Sequence, residues 1–267
     1  MLMATKVTPI PAESSRPLLQ AGDPDPVGEQ NPGARSAFLL VCDHAGRAVP
    51  SALGRLGLPE EAFDLHIAWD IGALRLAERL SGQLSACLIF QRYSRLVADC
   101  NRAPDHPGLA TPVSDAIVIP ANQGLSAADL QARIAAVHAP YHARIARELD
   151  TRAAQGDHTL LVCVHSFTPQ MGGVPRPWHV GVLHGGASPA SERMLELLVA
   201  EGDLVVGDNQ PYAMDGTDYT APLHAWRRGL DVIELEVRQD LLADPAAGAD
   251  MAERLARLLP QTLATAR

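Results

Sequence analysis

Lysine is almost missing from this chain: Lys6 is the only one, and arginine supplies the other basic side chains. Basic charge as a whole is short, with 22 Lys plus Arg against 31 Asp plus Glu and a formal net charge of −9. That balance argues against non-specific nucleic-acid binding and against anionic membrane surfaces, and it leaves room for a local basic pocket that takes an acidic small molecule. No segment approaches the ~20 consecutive apolar residues that span a bilayer. Residues 1–10 carry one lysine and no long apolar core, so no secretory signal is expected and the cytosol is the expected compartment. The four cysteines, Cys42, Cys87, Cys100 and Cys163, form no CxxC pair, and three sit in apolar runs where free buried thiols are expected. Walker A and Rossmann glycine fingerprints are absent, as is the GxSxG of serine hydrolases. No second break in composition follows residue 36. Residues 37–267 are therefore expected to form one domain behind an extended, Pro/Gly/Ser-rich segment, residues 1–36, whose alternative reading is a lid or partner-binding tail.

What is present is an apolar string repeated once. Residues 37–46 read AFLLVCDHAG and residues 159–167 read TLLVCVHSF; both contain LLVC, one further residue, then His. Short apolar runs are the signature of strands covered on both faces, and in α/β sheets ligands bind beyond the strand ends. His44 and His165 are thereby expected at one sheet edge. Further strands are expected at residues 85–90, 92–102, 177–183, 204–206 and 231–237. Helices are expected at residues 68–80, 125–150, 191–200, 220–229 and 247–259. Ser126 is a candidate cap, Pro140 a kink, and Asp70 reads as a cap near the start of its helix. Residues 105–124 form a long Pro/Gly-containing loop.

Chemistry concentrates in a few places. Residues 92–102, RYSRLVADCNR, are dense in polar groups; Arg95 and Arg102 can meet an anionic substrate from two sides, or belong to ordinary salt bridges. In DVIELEV, Glu234, Glu236 and Arg238 alternate with apolar residues and share one side of a strand, either as a catalytic strand or as an exposed charged ladder. His138 and His142 share a helical face, where structural roles outweigh metal binding. Two imidazoles plus a carboxylate are a donor set for catalytic zinc, and His44 with His165 supply the imidazoles. Ser166 beside His165 and the cysteines Cys42, Cys100 and Cys163 are weaker nucleophile candidates.

Taken together, CDHAGRAVP (42–50), RLVADCNR (95–102), HSFTP (165–169), RPWHVGVL (176–183), GDNQPY (207–212) and EVRQDL (236–241) resemble the N-formylglutamate amidohydrolase family over nearly everything after residue 36. The resemblance implies a single α/β domain, a mixed sheet with helices on both faces, similar to zinc carboxypeptidases and aspartoacylases. It implies that His44 and His165 ligate zinc or another divalent metal and that Glu236 is general base and proton shuttle. By the same resemblance Arg95 polarises the substrate carbonyl, Asn101 and Arg102 hold a substrate carboxylate, and Arg176 and Tyr212 shape the pocket. The HxxE glutamate of zinc carboxypeptidases is replaced by Arg47, which leaves Asp70 as the candidate third ligand and Asp43 as a candidate orienting group. The implied activity is metal-dependent hydrolysis of an N-acyl acidic amino acid, foremost N-formyl-L-glutamate. The alternatives are a small-peptide metallopeptidase and a degenerate protein that binds an amino-acid derivative.

Overall fold

The computed structural model describes residues 17–185, 188–214 and 216–265. Seven strands form one sheet: β1 Val27–Gln30, β2 Phe38–Cys42, β3 Cys87–Gln91, β4 Leu160–Phe167, β5 Val180–Leu183, β6 Val206–Asp208 and β7 Val232–Arg238. Their spatial order is β1-β3-β2-β4-β7-β5-β6. The inner four, β3, β2, β4 and β7, run parallel. β1 and β5 run antiparallel to their inner neighbours, and β6 runs parallel to β5.

The two LLVC strings are adjacent in space, with Leu39 opposite Leu161 and Val41 opposite Cys163. Every residue of β2 and β4 is buried, as the unbroken apolar runs require of strands covered on both sides. One face, with Leu40, Cys42, Val162, Val164, Ile233 and Leu235, packs under the helices α1 Ala73–Gln83, α4 Pro189–Ala200 and α6 Pro245–Leu258. The other, with Leu39, Val41, Leu161, Cys163 and Val232, packs under α3 Ala139–Gln155 and α5 Thr220–His224. This is the mixed-sheet α/β sandwich with helices on both faces.

Three local expectations change. The strand expected over residues 92–102 stops at Gln91 and gives way to turns. Its short polar side chains bond the backbone instead of a ladder: Ser94 Oγ donates to Ala68 O, and Asn101 N donates to Asp99 Oδ1. The helix expected over 68–80 begins at Ala73, capped by Gly72 at φ +86°. A Cβ on Gly72 would lie 2.6 Å from Leu242 Cβ, so this turn has room only for glycine. Of the segment expected as an extended lead-in, residues 1–16 lie outside the described residues, while Val27–Gln30 pairs with β3 as an edge strand.

The helix expected over 125–150 forms with its cap, Asp129 N donating to Ser126 Oγ. A short helix, α2 Ala127–Arg133, then widens into one π turn at Ile134–His138 before α3. Pro140, which has no N–H to give the preceding turn, follows that widening directly.

Gly181 on β5 lies opposite Glu236 and lets the chain at Gln210 cross closely. A Cβ there would sit 1.9 Å from Gln210 O and 3.4 Å from Glu236 Cβ. Gly181→Ala is expected to displace the segment carrying Tyr212 and to cost about 1–3 kcal/mol of stability. A thermal denaturation midpoint equal to that of the wild type would contradict this.

Candidate active site

The three central strands end side by side. β2 runs out into Asp43 and His44, β4 carries His165, and β7 sets Glu236 directly beside His165. Strand alternation puts His165 and Glu236 on the face of Leu161, Cys163 and Val232, below the loops that follow β3 and β6.

Asp70 reaches the same point from the turn before α1. Its N–H donates to His44 O at 2.9 Å, which holds residues 68–72 out of the helix and aims the carboxylate at the histidines. Asp70 Oδ2 lies 2.9 Å from His165 Nδ1 and 3.4 Å from His44 Nδ1, and the donor atoms of the three residues all lie within 4.8 Å of one another. The cap reading of Asp70 is thus replaced by a side chain shared between two imidazoles.

The far nitrogens of both rings face further carboxylates. His44 Nε2 is 2.7 Å from Asp99 Oδ1, and His165 Nε2 is 3.4 Å from Asp43 Oδ2. At His44 a proton held on Nε2 by Asp99 leaves the Nδ1 lone pair free as a ligand, the usual outer support of metal-bound histidine, and Asp43 stands on the corresponding side of His165. Arg95 ties the set together, with Nε and Nη2 on Asp99 Oδ2 at 3.2 and 2.9 Å and Nη1 3.4 Å from Asp70 Oδ1.

Burial alone would raise Asp70 and Asp99. The two imidazoles hold Asp70 below the usual carboxylate range, and Arg95 and His44 do the same for Asp99. At Glu236 burial, helped by the Asp70 charge, outweighs His165, His44 and Arg95 and pushes it up to about 7, and its Oε2 has no hydrogen bond. Arg95 pairs with the buried Asp70 and Asp99, and the buried Asp43, Glu234 and Glu236 add further acid to the same region. Two imidazole nitrogens and a carboxylate oxygen in an acidic surround are a donor set suited to a divalent cation, so His44, Asp70 and His165 are the residues that would hold one.

A cavity of about 500 Å³ opens onto this cluster. Arg95, Asn101, Arg102, Tyr212 and Glu236 line it. Arg102 Nη1 donates to Asn101 O at 2.9 Å and to Thr217 O at 3.1 Å, and stands 3.9 Å from Asp218 Oδ1. Asn101 Nδ2 donates to Asp218 Oδ1, and its Oδ1 accepts from the N–H groups of Tyr219 and Thr220. It therefore fixes the wall on which Arg102 stands. Arg176 donates to the Tyr212 hydroxyl at 2.9 Å and lies 4.7 Å over its ring.

Other candidates fall away from the chemistry. Arg47, in the HxxE position, turns to the surface and pairs with Asp64. Ser166 Oγ donates to Ile71 O, and Cys42, Cys100 and Cys163 are buried thiols pushed up by burial. His138 Nε2 meets Arg102 O and His142 Nε2 meets Cys100 O, bracing the 99–102 segment from behind; burial pushes His142 down to about 3, so it is neutral. Asp99 and Asp218 received no role from the sequence. The signal for Asp99 was its place two residues before Asn101, where a carboxylate closes a turn on its own backbone.

A family model described as N-formylglutamate amidohydrolase matches residues 36–243, a span that includes every residue of this site. Among solved structures, the gene product Atu2144 from Agrobacterium tumefaciens is 38% identical, with a TM-score of 0.89 over 92% of this chain and 98% of its own. N-formylglutamate amidohydrolase from Ralstonia eutropha JMP134 is 18% identical, with a TM-score of 0.69 over 91% of this chain and 99% of its own, a likeness of fold. No curated protein matches the sequence. With the family's span covering both histidine strands, the arginine loop and the glutamate strand, the chain belongs to the N-formylglutamate amidohydrolase family.

Proposed function

We propose that the protein hydrolyses the amide of an N-acyl acidic amino acid, foremost N-formyl-L-glutamate to formate and L-glutamate, with zinc or another divalent ion held by His44, Asp70 and His165. The observation that carries this reading is the meeting of a three-donor cluster and an unpartnered glutamate in one cavity. An ion bound there supplies Lewis acidity, polarising the scissile carbonyl and acidifying a water.

The chain's own residues supply the rest. Glu236 takes a proton from the attacking water and returns one to the leaving nitrogen, a task suited to a carboxylate pushed up to about 7. Arg95, held rigid by Asp70 and Asp99, presents positive charge to the developing oxyanion. Arg102 meets a substrate carboxylate, and Asn101 keeps that wall in place through Asp218. Tyr212, steadied by Arg176, shapes the rim.

Glu236 must be ionised to act as base. Activity should therefore fall with decreasing pH, with the acid limb of kcat/KM between the ordinary glutamate value of 4.5 and about 7, and lower within that window when a cation is bound. A profile still flat down to pH 4 would contradict the assignment. The reading itself is tested by incubating ion-replete protein with N-formyl-L-glutamate, N-acetyl-L-glutamate and N-formyl-L-aspartate and following release of the acid and the amino acid. Turnover is expected on N-formyl-L-glutamate; none on any of the three would overturn the proposal.

A further inference from the structure

Glu234 is a buried acid in the cavity wall for which the mechanism has no use. It lies two residues before Glu236 on the same face of β7, opposite Cys163 on β4 and Leu183 on β5. It is 1% exposed, it lines the cavity, and its Oε2 has no hydrogen-bond partner. A buried polar group left unpaired costs about 1–3 kcal/mol, so a bound molecule is the natural source of the missing bond.

The chemistry of that bond follows from its surroundings. Burial, with Asp218 and Glu236 nearby, pushes Glu234 up to about 8. The neutral form that burial favours has an O–H to donate, and that form can face an anion without repelling it. Spacing supplies the second constraint. Two residues along a strand span about 6.7 Å. In an N-acyl glutamate, the acyl carbon and the side-chain carboxyl carbon are five bonds apart, about 6 Å when extended. A substrate whose acyl carbon lies at Glu236 therefore brings a carboxyl of that chain length within reach of Glu234.

The geometry points to Glu234 as a specificity-determining residue whose carboxyl group donates a hydrogen bond to the side-chain carboxylate of the bound N-acyl amino acid, at a length that glutamate meets and aspartate misses by one methylene. Arg102 is then left for the α-carboxylate. This assignment rests on the amidohydrolase reading above and adds to it the group that measures the side chain.

The test uses full-length, ion-replete protein and three substrates: N-formyl-L-glutamate, N-formyl-L-aspartate and N-formyl-L-norvaline, the last ending in a methyl group. Wild-type protein is expected to prefer the glutamate derivative over both others. Glu234→Leu, which removes the donor at similar size, is expected to raise KM for N-formyl-L-glutamate by about 10- to 100-fold, the range of one hydrogen bond to a charged group, and to narrow its preference over the norvaline derivative by a like factor. Glu234→Gln keeps an N–H donor and is expected to retain most of that preference. A glutamate-to-norvaline ratio unchanged in Glu234→Leu would overturn the assignment, as would a loss carried by kcat equally on all substrates. If Glu234→Leu does not fold, the wild type still decides, because equal or better use of the aspartate or norvaline derivative overturns the assignment without any variant. Absence of wild-type turnover on every substrate would remove the amidohydrolase reading and this assignment together; turnover with an unchanged ratio would remove this assignment alone.

Discussion

Glu236→Gln is expected to lower kcat by about 10²- to 10⁴-fold, the usual contribution of a positioned acid–base group, while fold and ion content stay intact. Glutamine has the same shape and cannot take the proton. Glu236 is 6% exposed, belongs to a fully formed strand beside His165, and has an Oε2 without a partner, so the exchange removes no hydrogen bond at that atom. Stability should move in the opposite direction to activity. The folded-state pKa is raised from 4.5 to about 7, so the native protein holds the proton more tightly than the unfolded chain. Folding of the ion-free protein is then opposed progressively as pH rises from 4.5 to 7, and by a constant amount above that. Glu236→Gln lacks this penalty and should match or exceed wild-type stability at pH 8 without ion. Thermal denaturation at pH 5 and pH 8 measures the difference; full activity in the variant would take Glu236 out of the mechanism.

Asp70→Ala is expected to abolish activity and to weaken ion binding by more than the 10- to 100-fold typical of losing a group that only orients a ligand. Asp70 is the hub of the cluster, touching His44, His165, Arg95 and the Ser166 N–H. Its removal leaves buried imidazoles and a guanidinium without their shared anion, and breaking such a buried pair costs about 3–5 kcal/mol. The sign with pH is opposite to that of Glu236. Asp70 is held below its ordinary 3.8 in the folded protein by the imidazoles, against burial. The stability gap between wild type and variant is therefore full at pH 7 and closes as pH falls below 3.8. Chelator competition measures the affinity, and denaturant unfolding of the ion-free proteins at pH 7 and pH 3.5 measures the gap. Wild-type affinity in the variant would remove Asp70 from the donor set.

The sequence was legible where one strand carried both the pattern and the chemistry. The repeated LLVC strings read as buried strands because nothing polar interrupts them, and both histidines stand where the apolar runs give out. DVIELEV was legible as a strand whose charges share a face. What could not be read depends on contacts distant along the chain. Asp70 looked like a cap by its local spacing, and only the family resemblance marked it as a third ligand; the left-handed turn at Gly72 and the bond to His44 O turn it toward histidines 26 and 95 residues away. Asp99 meets His44 across 55 residues, and no local pattern encodes that. Residues 92–102 imitated a strand because the apolar run Leu96–Ala98 ends in a polar exit, while Ser94, Asp99 and Asn101 bond backbone in turns and in a segment far along the chain. Val27–Gln30 has little strand character of its own and is ordered by the open edge of β3.

One titration bears on all of this at once: zinc added to chelator-stripped protein while formate release from N-formyl-L-glutamate is followed, in the wild type and in His165→Ala. Turnover is expected to be absent without ion, to appear in the wild type and saturate at one ion per chain, and not to appear in the variant. Undiminished formate release from the stripped wild-type protein would contradict a metal centre at His44, Asp70 and His165.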